Sequence, residues 1–127
     1  MTHAHLDHIG IVNELQKDYQ LPVYMHRLDL PLSEKLNEYC RYFNIPSKSN
    51  PMITNIINND KKLKISNFKI SVLHTPGHTK GSLCYLIDDN IFVGDTIFKN
   101  SIGRTDLPGG DYNQLISSIK NKLFRLN

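Results

Sequence analysis

Within the first eight residues stands the run His3-x-His5-x-Asp7-His8, which offers four metal-ligating side chains in six positions. If residues 3–5 are extended, side chains two apart share a face, so His3 and His5 point the same way. Asp7 and His8 then fall in the turn before an amphipathic helix that Ile9, Val12, Leu15 and Tyr19 mark out over 9–19. Imidazole and carboxylate are the ligand types suited to zinc or iron. Four groups at the end of one short segment do not easily reach a single ion, so two ions sharing the run fit better. Such a chain must therefore fold so that distal ligands return to its N-terminal end.

The rest of the chain reads as alternating helix and strand. Leu21–Met25 is expected as a short buried strand, and Leu32, Leu36, Tyr39, Cys40 and Phe43 as a helix over 32–43 that stops before Pro46. Residues 44–61 read as loop and the start of a hairpin. Strands are expected at 62–65 and 68–73, around Ser66-Asn67, and at 83–87 and 91–94, around Asp88-Asp89-Asn90. Residues 98–110 read as a Gly/Pro-punctuated loop. Asp111 then caps a helix over 111–124, with Gln114 in capping-box register. The order implies an α/β or α+β class and one domain over 1–127.

Two further segments could supply the distal ligands. His74-Thr75-Pro76-Gly77-His78 ends a strand and presents His78 on a forced turn, whereas His74 reads as structural. Val93-Gly94-Asp95-Thr96 puts an aspartate at the end of an apolar strand, where it either caps an Asx-turn or bridges metals. Lys80 reads as solvated and Cys84 as core.

Composition narrows the classes. At 127 residues, 39% hydrophobic and 21% charged, the chain can bury one modest core. It contains no apolar run of the ~20 residues a membrane span needs. The opening residues have neither the basic nor the apolar region of a secretion signal, and two cysteines make no disulfide framework, so a cytoplasmic location is expected. A net charge of +3 implies neither nucleic acid nor membrane as partner.

The run HxHxDH, followed in order by His78 and Asp95, resembles the metallo-β-lactamase superfamily of metallohydrolases. Within it, Ile102-Gly103-Arg104-Thr105-Asp106-Leu107-Pro108-Gly109-Gly110-Asp111 resembles the loop of small glyoxalase II-like hydrolases, and its GRTD stretch is also similar to the persulfide dioxygenases. The resemblance implies an αββα sandwich, here partial. It implies that His3, His5 and His78 hold one metal, that Asp7 and His8 hold the other, and that Asp95 bridges them. The metals would be two zinc ions, with iron or manganese as alternatives.

The implied reaction is hydrolysis of an S-acylglutathione thioester, such as S-lactoylglutathione, through a metal-bound hydroxide that Asp7 also orients. Arg104 and Asp106 would lie on the glutathione side, with Arg104 either meeting a substrate carboxylate or pairing with Asp106 or Asp95 to brace the loop. The alternatives are an iron-dependent persulfide dioxygenase and a truncated, non-catalytic remnant. The chain departs from the family pattern at both ends: strands that precede HxHxDH and a histidine that follows the last helix are missing. The expectation is therefore an incomplete domain prone to self-association through exposed strand edges.

Overall fold

A computed structural model describes residues 1–126. The first helical turn, α1 (Leu6–Ile9), opens where the His5 carbonyl accepts the N–H groups of His8 (2.9 Å) and Ile9 (3.0 Å). Asp7 and His8 thus lie inside this turn, not ahead of the helix as the sequence suggested. The expected single helix over 9–19 is broken at Gly10-Ile11, and α2 (Val12–Tyr19) follows. Gln20 ends it in the left-handed conformation.

The expected strand at 21–25 begins later, as β1 (Tyr24–His26). Pro22 has no N–H to give a ladder, and the Val23 N–H is taken by the Thr54 hydroxyl (2.8 Å). A 3₁₀ turn (Arg27–Asp29) leads into α3 (Leu30–Ser33), where Pro31 suits a first helical turn. After Glu34-Lys35 comes α4 (Leu36–Tyr42), so the helix expected over 32–43 is two short pieces.

Inside the segment read as loop, β2 (Asn55–Ile57) pairs in parallel with β1. The antiparallel sheet is β3 (Lys61–Ile65), β4 (Phe68–His74), β5 (Leu83–Ile87) and β6 (Asn90–Phe92), paired in that order. Its two outer hairpins turn at Ser66-Asn67 and Asp88-Asp89, and Ser66 and Asp88 adopt positive φ. One edge, β3, carries Lys61, Lys62 and Lys64, and charges of this kind discourage edge pairing. The other, β6, is exposed throughout.

The 98–110 segment also holds a small hairpin, β7 (Ile97–Phe98) with β8 (Ser101–Ile102). Last comes α5 (Tyr112–Asn121), whose Gln114 N–H donates to the Asp111 carboxylate (2.9 Å). The return half of the capping box is not made, because the Asp111 N–H donates to the Gly77 carbonyl (2.8 Å).

Two apolar clusters hold the elements together. Ala4, Ile9, Val12, Val23, Met25, Leu36 and Cys40 pack α1, α2 and α4 against β1. Ile57, Val72 and Leu83 join β2 to the four-stranded sheet. Leu83 is fully buried, and truncating a core leucine of this kind costs about 2–5 kcal/mol. The clusters meet at the start of the chain, whose Thr2 carbonyl accepts the Leu83 N–H (2.8 Å), so residues 2–5 are fixed beside the sheet.

Candidate metal centre

Three chain segments bring ring nitrogens together at the end of the sheet. His5 Nδ1 lies 2.9 Å from His78 Nε2, and His78 Nε2 lies 3.2 Å from His3 Nε2. The three rings stand roughly perpendicular where they meet at His78, with centroids 4.6 Å apart in both contacts. A second group is formed by His3, His8 and Asp95, whose ligand atoms lie within 4.8 Å of one another. Asp95 spans the two groups: Oδ1 is 3.1 Å from His8 Nε2 and Oδ2 is 3.7 Å from His78 Nε2. Five of the six expected metal-ligating residues therefore converge. Asp7 stands at the edge, its side chain 75% exposed and its carboxylate 3.7 Å from His8 Nε2.

The fold presents His78 from two sides. Gly77 has φ +138°, and a Cβ there would run into the Leu115 backbone, so only glycine lets the turn sit this close to α5. Ser118 of α5 donates to the Pro76 carbonyl (2.7 Å). From above, the Arg104 carbonyl accepts from His78 Nδ1 (2.8 Å). A carbonyl only accepts, so Nδ1 carries the proton and His78 turns its Nε2 toward His3 and His5.

Burial and crowding keep the His3 and His5 rings neutral. Desolvation, followed by the neighbouring His8, His5 and His78, pulls His3 down to about 2. Desolvation and His78 bring His5 down to about 4, against smaller upward pulls from Asp7 and Asp95. Neutral imidazole is the form that binds a metal, and a buried group of neutral imidazoles with a carboxylate beside it is the donor set a divalent cation such as Zn²⁺ takes. The residues present fit such an ion.

The side chains of Arg104 and Asp106 pair with each other. Arg104 Nε and Nη2 donate to the two Asp106 oxygens at 2.8 and 2.7 Å, with both side chains largely exposed. The hydrogen bond from Arg104, with the Asp106 backbone next, holds the Asp106 carboxyl down at about 2. In this structure the guanidinium braces its own loop, and the centre meets Arg104 through its main-chain carbonyl.

Sequence reading gave no role to Asp29, which is buried and receives three hydrogen bonds from residues that flank the rings. Burial raises its pKa, against those three bonds. Its position at the end of a short 3₁₀ turn carries no motif. His74 donates Nε2–H to the Lys80 carbonyl (2.9 Å) and stacks on His26 at 3.9 Å between centroids, which pins the His78 turn at its base. Cys84 is buried and Lys80 exposed.

Known proteins are similar to this chain in sequence and fold. Hydroxyacylglutathione hydrolase GloC of Haemophilus influenzae is 37% identical over 131 residues, which take in 100% of this chain and 62% of the relative. The crystal structure of the BLEG-1 B3 metallo-beta-lactamase superposes with a TM-score of 0.89 at 40% identity, covering 99% of this chain and 62% of that one. TTHA1623 in a di-iron-bound form superposes with a TM-score of 0.82 at 36% identity, covering 98% and 62%. The chain thus spans less than two thirds of the length of these proteins. No described helix is long and apolar enough to cross a membrane. The pattern of the Metallo-beta-lactamase superfamily runs over residues 1–126, taking in the N-terminal histidines, the His78 turn, Asp95 and the helix behind them, and the chain belongs to that superfamily.

Proposed function

We propose that this chain is the metal-binding part of a hydrolase that cleaves an S-acylglutathione thioester, such as S-lactoylglutathione, to an acid and a free thiol. The observation that carries this reading is the convergence of the His3, His5 and His78 ring nitrogens with His8 and Asp95 beside them. Similarity to a hydroxyacylglutathione hydrolase supports the choice of substrate class. In this reading His3, His5 and His78 hold one ion, Asp7 and His8 hold a second, and Asp95 reaches both. The ions are zinc, and similarity to a protein that binds two irons supports a site that also accepts iron.

When bound, such ions supply Lewis acidity toward the scissile carbonyl and bring a water toward a pKa of about 7. The residues of the chain do the rest. The Arg104 carbonyl holds the proton on His78 Nδ1 and keeps Nε2 free. Asp7, exposed beside His8, takes up the proton of the attacking water at a carboxylate oxygen. The leaving group is a thiol with a pKa of about 8.5, so it departs as thiolate and no separate general acid is required.

The test is thiol release from S-lactoylglutathione by the zinc-loaded chain. Release is expected to stop on chelation and to fall at least about 100-fold in Asp7→Asn, the range that loss of a positioned base produces. Oxygen uptake with glutathione persulfide, without thiol release, would replace this reading with an iron-dependent dioxygenase. Metal binding with neither reaction would leave a non-catalytic remnant.

Arg104 and Asp106 are proposed to line the glutathione side, with Arg104 meeting a substrate carboxylate. Arg104→Ala is then expected to raise KM with little change in kcat, since it removes binding that is equal in ground and transition states. The melting temperature should hardly move, because the exchanged side chain is exposed and the main-chain carbonyl that holds His78 remains. A lower melting temperature with unchanged KM would assign Arg104 to loop bracing alone.

A further inference from the structure

Asp29 is 1% exposed and lies outside every metal-ligand motif of the chain. Its Oδ2 accepts the Ala4 N–H (3.0 Å) and the Thr79 hydroxyl (2.9 Å). Its Oδ1 accepts the Gly81 N–H (2.7 Å). Ala4 stands between His3 and His5, and Thr79 follows His78. One carboxylate thus ties together the two segments that carry the three converging rings. These segments also meet where the Thr2 carbonyl accepts the Leu83 N–H (2.8 Å), which ties only the residue before His3 and leaves the stretch between His3 and His5 to Asp29.

The fit around Asp29 is close. A Cβ on Gly81 would come within 2.6 Å of the Asp29 Cγ, so the glycine makes room for this side chain. Both oxygens face donors only, and a carboxylate, which only accepts, satisfies all of them. An asparagine of the same shape would turn an NH₂ toward a donor at one of the two positions. A glutamate would need space that the 2.6 Å approach denies.

We propose that Asp29 is the positioning residue of the centre: it fixes the His3-Ala4-His5 segment against the His78 turn, and so sets the spacing of the ring nitrogens before any ion binds. Its consequence for metal affinity rests on the reading of the cluster as a metal centre, whereas its consequence for ring spacing does not. Outer partners of metal ligands commonly change affinity by about 10–100-fold.

The experiment compares the wild-type chain, Asp29→Asn and Thr54→Val. Thr54 makes a bond of similar length to the Val23 N–H, well away from the rings, and serves as the purely structural control. Imidazole NMR spectra are recorded on the metal-free proteins, and Co²⁺ affinity is then measured by the visible absorption of the ion. Asp29→Asn is expected to shift the ring resonances of His3, His5 and His78 in the metal-free state, to leave His74 in place, and to weaken Co²⁺ binding at least tenfold. Thr54→Val is expected to lower stability and alter neither readout. If Asp29→Asn fails to fold, Thr79→Val removes one of the three bonds and should give the same changes in smaller measure.

Unchanged ring resonances and Co²⁺ affinity in a folded Asp29→Asn chain would overturn the proposal, as would equal changes in Thr54→Val. If the wild-type chain takes up no Co²⁺, the metal-centre reading fails, and the metal-free ring spectra still decide the role of Asp29.

Discussion

Replacing His78 with alanine is expected to weaken Zn²⁺ binding by about a hundredfold or more. A structural zinc site of four ligands is worth about 10–16 kcal/mol, so each ligand carries about 2.5–4 kcal/mol, and every 1.4 kcal/mol is tenfold in affinity. His78 has a larger share of the geometry than this average, because its Nε2 is the atom that both His5 Nδ1 and His3 Nε2 approach. The substitution also leaves the Arg104 carbonyl without its donor, a loss of about 1–3 kcal/mol of stability when the group is not rehydrated. Competition against a chromophoric chelator measures the first effect and denaturant unfolding the second. His74→Ala is the informative comparison: His74 is four residues earlier on the same turn and outside the donor cluster, so it should lower stability and keep the metal. Equal metal loss in both variants would mean that the turn, not the His78 ring, is what matters.

In the metal-free chain, stability is expected to fall steadily as the pH drops from 6.5 to 4. The folded pKa of His3 is lowered to about 2 and that of His5 to about 4, against 6.5 for an ordinary imidazole. Between the folded and unfolded values the unfolded chain binds more protons, so stability rises with pH there and is lost as pH falls. Above 6.5 both states are neutral at these rings and the effect vanishes. One pKa unit corresponds to about 1.4 kcal/mol, so His3 alone accounts for about 3 kcal/mol over this window, with a smaller share from the partly exposed His5. His26 acts in the same direction, lowered first by burial and then by His74. A loss of this size is a large part of the margin of a small domain. Urea unfolding at steps of pH on the metal-free chain measures it, and His3→Asn should flatten the profile. From sequence alone, metal binding would be expected to weaken below about pH 6.5. Burial instead keeps the folded rings of His3 and His5 neutral, and open to ligation, at lower pH.

How much could be read beforehand follows from the range of the interactions. The β3–β4 and β5–β6 hairpins were legible because their turns, at Ser66-Asn67 and Asp88-Asp89, are written in adjacent residues. The α5 cap was legible for the same reason, since Asp111 and Gln114 are three apart. β2 was not, because Asn55–Ile57 becomes a strand only by pairing with Tyr24–His26, about thirty residues earlier, inside a polar segment with no alternation. The break at Gly10-Ile11 was hidden because Ile9 and Val12 keep helical spacing across it.

At the site, residue types and order picked out the five groups that converge, since imidazoles and carboxylates in a tight run have few other uses. What spacing could not supply was which groups orient them. Asp29 and the Arg104 carbonyl act through bonds to distant backbone, and nothing in the neighbouring sequence marks either one. Asp7 differs from them: HxHxDH groups it with His8, and in the first turn of α1 its carboxylate lies 3.7 Å from His8 Nε2 with the side chain 75% exposed.

In the proposed reading, His3, His5 and His78 together hold a metal ion. An anomalous difference map from crystals of the chain grown with Zn²⁺, recorded above and below the zinc edge, tests it directly. The expected result is a peak enclosed by His3 Nε2, His5 Nδ1 and His78 Nε2, with a second beside His8 and Asp95. Zinc peaks only elsewhere on the chain, with the three rings still in mutual contact, would contradict it.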